Sequence, residues 1–284
     1  MRNIAKFLVS VAVTLLVLTA GSLQAANEDT CQPINSAPVT ISTSGTYCLT
    51  ADISYTAASG NAITVNAGHV VLDLSQHTLS NLAAGTGTLS TGISSSSANL
   101  TVRNGTVIGF STGISLAGSG ALVEGIRADA NRQIAIIVGG LGSVVRNNLV
   151  IHTGTGNASE GGLITAIYLL GDGERALNND IVDTVPPTSG VGSGRGIVVH
   201  ANGVVVEGNR LSNSTAPSTS SPSVSLGILF DGAYTGLAVN NRVVIMTYGV
   251  YMAAAPAVAY RDNLAIGVVS PYTGGNNAGD NQSF

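Results

Sequence analysis

Apolar and polar positions alternate along most of this chain in short bursts, and the bursts return in phase. Residues 135–153 read AIIVGGLGSVVRNNLVIHT and residues 196–214 read GIVVHANGVVVEGNRLSNS, with the small residue, the Ile, the Val pair and the Asn at matching places. A small residue followed by Ile or Val opens each unit: Ala62-Ile63, Gly92-Ile93, Gly113-Ile114, Ala135-Ile136, Ala166-Ile167, Gly196-Ile197, Gly227-Ile228 and Gly249-Val250. Successive openings lie 30, 21, 22, 31, 30, 31 and 22 residues apart, a unit of 21 or 22 residues that is sometimes enlarged by nine or ten. Within each unit the alternation has period two, interrupted by Gly or Asn, and nowhere takes on a helical period. This predicts short parallel strands stacked coil on coil at about 4.8 Å, a rod roughly 40 Å long for eight coils.

Two further columns follow from the same phase. An Asn recurs twelve or thirteen residues after the Ile, at Asn148, Asn179, Asn209, Asn241 and Asn263. Asn at one turn of every coil adopts left-handed backbone geometry readily and can bond its amide to the Asn above and below, which predicts a ladder along the rod. Two positions earlier stand Asp73, Arg103, Glu124, Arg146, Leu177, Glu207, Val239 and Arg261, whose charges alternate in sign wherever they are neighbours. Side chains about 5 Å apart on adjacent strands favour opposite charges, so this column is expected to be a surface ion ladder that helps set register.

The ends differ from the middle. Residues 1–25 carry Arg2 and Lys6, an apolar run from Phe7 to Ala20 and a small polar close, the layout of a signal peptide cleaved near Ala25, with a secreted or periplasmic destination. The run is shorter than the roughly 20 residues that span a bilayer, so no membrane insertion is expected. In an exported chain the two cysteines, Cys31 and Cys48, read as a disulfide within an N-terminal cap over 26–60. The coils are expected over 61–270, and GGNNAGDNQSF closes the chain as a polar tail over 271–284. Lys6 is the one lysine and the net charge is −4, which argues against nucleic acid as a partner.

The entry segment GTYCLTADIS, followed by AITVNAGHVVLDLSQHTLS and ANLTVRNGTVIGFSTGI, resembles the first coils of secreted parallel β-helix proteins, the superfamily that includes the pectate lyases. The resemblance spans about 39–268. It implies an all-β fold, a single-stranded right-handed parallel β-helix of about eight or nine coils. It implies no particular catalytic subfamily, because neither clustered calcium-binding aspartates nor the paired aspartates of pectin hydrolases stand in this sequence. The cofactor stays open, with Ca²⁺ one candidate if the chain is a lyase.

The enlarged units place their extra residues together. Loops 154–165, 184–195 and 214–226 come from consecutive coils and emerge along one edge, where insertions in solenoids commonly form binding surfaces. The outward column of the first strand turns from Thr64, Ser94 and Ser115 to Ile137, Tyr168, Val198, Leu229 and Tyr251 as these loops begin. An apolar stripe of this kind suits a ligand, a covering segment or oligomerisation of the chain. At the loop roots stand His152, Asp183 and Asn213, with Asp180 and Arg210 close by and Glu160 and Arg195 in the loops. The candidate catalytic set is therefore Asp183, His152, Arg210 and Asp180, and the candidate substrate-binding set Tyr168, Tyr251, Asn213, Arg195 and Glu160. His69, His77 and His200 lack metal-ligand spacing, and no metal site is expected. Three functions remain open: binding of extracellular polysaccharide through the loops without catalysis, a polysaccharide lyase or glycoside hydrolase at the same edge, and a structural or adhesive surface rod.

Overall fold

A small residue opens each coil for a steric reason. A Cβ added to Gly113 would lie 2.5 Å from the carbonyl oxygen of Ala135 on the next coil, and one on Gly227 would lie 2.6 Å from that of Gly249. Little or no side chain at this place lets successive backbones close to ladder spacing. The residue that follows turns inward: Ile63, Ile93, Ile114, Ile136, Ile167, Ile197, Ile228 and Val250 are all fully buried and pair in unbroken register.

The computed structural model describes residues 31–154, 164–184, 186, 192–215, 223–252 and 254–284. The expected signal segment 1–25 lies outside them. Most coils contribute a first strand, such as Ile164–Leu169, and after a corner two shorter ones, such as Arg175–Leu177 and Asp180–Val182; in two coils one longer strand, Leu100–Ile108 or Leu122–Asp129, takes the place of the pair. The first strands form a ten-stranded sheet and the others a 19-stranded one, all paired in parallel with the equivalent strand one coil away. The chain is thus the parallel β-helix expected, and its Cys31–Cys48 disulfide is formed. No helix among the described residues is long and apolar enough to cross a membrane.

The solenoid is longer than the repeat count suggested. Gln32–Ile34 already pairs with Gly45–Leu49, and Val39–Ile41 with Asn61–Val65, so coiling begins inside the expected cap. At the other end Ser270–Gly274, Asn276–Asn277 and Gln282–Ser283 pair with the strands of the preceding coil, so the expected polar tail runs as a further coil.

The Asn column is a continuous buried ladder. Nδ2 of Asn148 donates to Oδ1 of Asn179 at 3.0 Å, Asn179 to Asn209 at 2.9 Å, and Asn209 to Asn241 and Asn241 to Asn263 at 3.0 Å. Asn263 passes the chain on to Asn281 at 3.0 Å. Each Oδ1 also accepts the backbone N–H of the Asn before it, and each Nδ2 also donates to a carbonyl such as Ala176 O, so the amides are satisfied inside the wall. The left-handed backbone falls one residue earlier than expected, at Asn147, Asn178, Gly208, Asn240 and Asp262. That residue turns the corner, and the turn aims the next side chain inward.

The charged column has the register read from sequence: Asp73, Arg103, Glu124, Arg146, Leu177, Glu207, Val239 and Arg261 are successive partners. Arg103 meets Asp73 at 2.8 Å and Arg146 meets Glu124 at 2.7 Å, both half-exposed, which limits each to about 1 kcal/mol or less.

One inward position breaks the apolar pattern. Glu174 sits in register between Ser143 and Val204, with no exposed surface and no hydrogen bond to either carboxyl oxygen. Burial pushes its pKa up to about 8; the backbone amides of Gly171 and Leu170 oppose the shift without meeting the carboxyl in hydrogen-bond geometry, and Asp172 adds to it.

Asn209→Ala removes the acceptor of two buried donors on Asn179 and two donors of its own, and is expected to lower stability by about 3 kcal/mol, read as a fall in denaturant midpoint with unchanged slope. For Glu174, the folded chain holds a proton that the unfolded chain releases above 4.5, so stability is expected to fall as pH rises from 4.5 to about 8 and then level off. Glu174→Gln should abolish that part of the slope in melting curves recorded across this range.

Candidate functional site

The ten-stranded sheet presents two outward columns, because the paired inward residues at the start of each strand separate the outward ones. Thr91, Thr112, Ile134, Thr165, Arg195, Leu226, Tyr248 and Ser270 follow one another in register, and so do Ser94, Ser115, Ile137, Tyr168, Val198, Leu229, Tyr251 and Thr273. Before both end on hydroxyl side chains, the second column is apolar or aromatic from Ile137 to Tyr251 and the first at Leu226 and Tyr248. There Val198, Leu226 and Leu229 are buried and pack with Tyr168, Val224, Tyr248 and Tyr251 in an apolar cluster separate from the interior. Part of the stripe is therefore covered, and its tyrosines remain partly open.

Over this cluster lies a groove of about 350 Å³ lined by Ser193, Arg195, Val224, Leu226, Leu229, Asp231, Tyr248 and Tyr251. Its size is that of a small-ligand site. Tyr248 and Tyr251 meet edge to face, with ring centroids 4.9 Å apart. Among the described residues its lining carries charge at two places, five residues apart along the strand direction. Arg195 stands at one, its Nε donating to Ser193 Oγ at 2.8 Å, and Asp231 at the other. From Leu226 to Asp231 the strand advances about 16 Å, enough for more than one sugar ring.

Beside the groove, burial pushes the Tyr168 phenol up; the Asp231 carboxylate and Tyr234 act the same way, against the Arg195 cation. The Tyr168 phenolate is thereby disfavoured, which leaves the hydroxyl able to donate a hydrogen bond. His200 stacks at a tilt on Tyr234, centroids 5.0 Å apart. It follows Val199 as Asp231 follows its register partner Phe230, so the two side chains belong to neighbouring coils.

Of the residues singled out from sequence, the structure brings Tyr251 and Arg195 into the groove and Tyr168 alongside it. Asn213, His152 and Asp183 lie instead at the corner that precedes this sheet. Their amides bond in sequence to Val244, Val182 and Ser212, and His152 and Asp183 turn the corner with left-handed φ of 53° and 55°. Oδ1 of Asp183 accepts the Ser214 N–H at 2.6 Å. Asp180 and Arg210 are register partners within the 19-stranded sheet, 3.7 Å apart, with Arg242 next in line. Glu160 lies outside the described residues, as do most of loops 154–165, 184–195 and 214–226.

Asp129 and Asp231 escaped the sequence reading, and His200 was weighed there only as a metal ligand. Asp129, nearly buried, holds Nδ1 of His152 at 3.1 Å on one oxygen and Arg127 at 2.8 Å on the other. It interrupts a column otherwise read as Ile108 and Ile151, and the aspartate is the signal. Asp231 and His200 each stand two residues beyond the apolar stripe, the next outward place on a strand. Asp231 is the one carboxylate lining the groove among the described residues. No group of three or more His, Cys, Asp or Glu suited to a metal occurs among the described residues.

No family model matches the chain, and no curated protein matches it. Among solved structures it is similar to the Dettilon tailspike protein, with a TM-score of 0.58 and 14% identity over 89% of this chain and 53% of that one. It is also similar to the enzymatically active domain of bacteriophage CBA120 tailspike protein 2, with a TM-score of 0.51 and 12% identity over 89% of this chain and 41% of that one. The chain thus spans about half the length of the structures it resembles. At these identities the likeness establishes the fold.

Proposed function

We propose that this chain is an exported β-helix that binds polysaccharide along the outer face of its ten-stranded sheet. The observation that carries the reading is the groove: an apolar and aromatic floor with a guanidinium at one end and a carboxylate at the other. A sugar ring has apolar C–H faces and a polar rim. Leu229, Tyr248 and Tyr251 suit the faces; Arg195, Asp231 and the Tyr168 hydroxyl suit the rim. The groove borders the places where loops 184–195 and 214–226 rejoin the sheet, which agrees with loops from consecutive coils framing one binding edge. The signal-like segment 1–25 and the disulfide support export.

A catalytic reading rests on a different observation, the Asp129–His152 pair. A histidine oriented by a carboxylate that is itself held by an arginine is equipped to take a proton, and a lyase or hydrolase at that corner would use it. One similar solved structure is described as an enzymatically active domain, which agrees with this alternative.

The groove reading is tested by glycan-array binding followed by titration of the best hit. Tyr251→Ala is expected to weaken binding about tenfold, roughly 1.4 kcal/mol, while Asp183→Asn leaves affinity unchanged, with circular dichroism confirming that both remain folded. Equal affinity of Tyr251→Ala and the parent would move the site off this face. New reducing ends or new ultraviolet absorbance from unsaturated products, lost in His152→Ala and kept in Tyr251→Ala, would favour the catalytic corner.

A further inference from the structure

We infer that the groove selects acidic polysaccharide, and that Arg195 is the residue that reads the sugar carboxylate. The inference rests on the groove being the glycan site and goes on to name the class of glycan.

Five arginines elsewhere on the rod are neutralised by the protein itself. Arg103 meets Asp73, Arg127 meets Asp129 and Arg261 meets Asp262 at 2.8 Å, and Arg146 meets Glu124 at 2.7 Å. Arg210 has Asp180 at 3.7 Å. Arg175 and Arg242, which lack such a partner among the described residues, are exposed on the other sheet. Arg195 is different on both counts: it is half-buried in the groove and forms no ion pair among the described residues.

Among the described residues one polar contact explains how it is held. Nε donates to Ser193 Oγ, which fixes the guanidinium, while neither Nη group meets a partner among the described residues. In register its neighbours are Thr165 and Leu226, and neither offers a negative charge. Asp231 lines the opposite end of the groove and does not pair with it. A fixed guanidinium with two free N–H groups on one edge matches a carboxylate bidentately. The adjoining apolar floor removes water from that contact and strengthens it. Asp231 repels a carboxylate placed at its own end and accepts hydroxyl protons instead, so the ligand has one preferred orientation: acid group at Ser193 and Arg195, sugar hydroxyls toward Asp231.

The test is calorimetric titration of the full chain with polygalacturonate, alginate and glucuronan oligosaccharides, each beside its carboxyl-reduced counterpart. The expected result is that at least one uronate binds ten or more times tighter than its reduced form. Arg195→Gln should abolish the difference in affinity between that uronate and its reduced form, Arg195→Lys should recover part of the difference, and Tyr251→Ala should weaken both. Equal affinity of the parent for acidic and reduced glycans, or discrimination that survives Arg195→Gln, overturns the role of Arg195 and leaves the groove reading standing. Absence of binding to every oligosaccharide, acidic and reduced alike, overturns the groove reading with it.

Discussion

Everything in this rod depends on one coil passing its backbone hydrogen bonds to the next in an unshifted register. A parallel strand cannot satisfy its own N–H and C=O groups, and a slip of one residue would turn the inward isoleucines out to water. The buried Asn ladder is the device that resists such a slip. Each amide is satisfied only when the Asn of the adjacent coil stands at the matching place. The small residue before each Ile contributes the complementary constraint, since a larger side chain would strike the carbonyl of the neighbouring coil. The alternating charges on the wall add weaker support from outside.

This stacking makes a side chain's neighbours those 21 to 32 residues away in sequence, as in the pairing of Asn209 with Asn241 or of Arg103 with Glu124. A binding face arises when one outward place changes character over several consecutive coils. On the ten-stranded sheet that change runs from Ser94 and Ser115 through Tyr168 to Leu229 and Tyr251. Polar groups set at its margins, Arg195 and Asp231, then give an otherwise greasy strip an orientation.

The repeat made most of this fold legible in the sequence. Isoleucine, asparagine and charged columns could be aligned by counting, and each aligned column proved to be a column of register partners. Residues that leave the repeat were harder. Asn281 continues the ladder where Gly and Asn suggested only a polar tail, because the last unit is 18 residues rather than 21 or more. Glu174 reads as a polar corner residue in GDGERA, yet its place in the column between Ser143 and Val204 turns it inward. For the site, closeness in sequence to the long loops grouped Asp180, Asp183, Arg195 and Tyr168 together. A corner separates them: Asp180 belongs to one sheet and Tyr168 and Arg195 to the other. Asp129 and Asp231 became visible only when their partners on other coils were known.

The proposed glycan site is the ten-stranded face, across coils, rather than the corner marked by His152 and Asp183. A crystal structure of the chain with a bound oligosaccharide tests it most directly. The account predicts a sugar ring on Tyr251 and Leu229 with its acid group at Arg195; a saccharide seated against His152 and Asp129, with the groove empty, would contradict it.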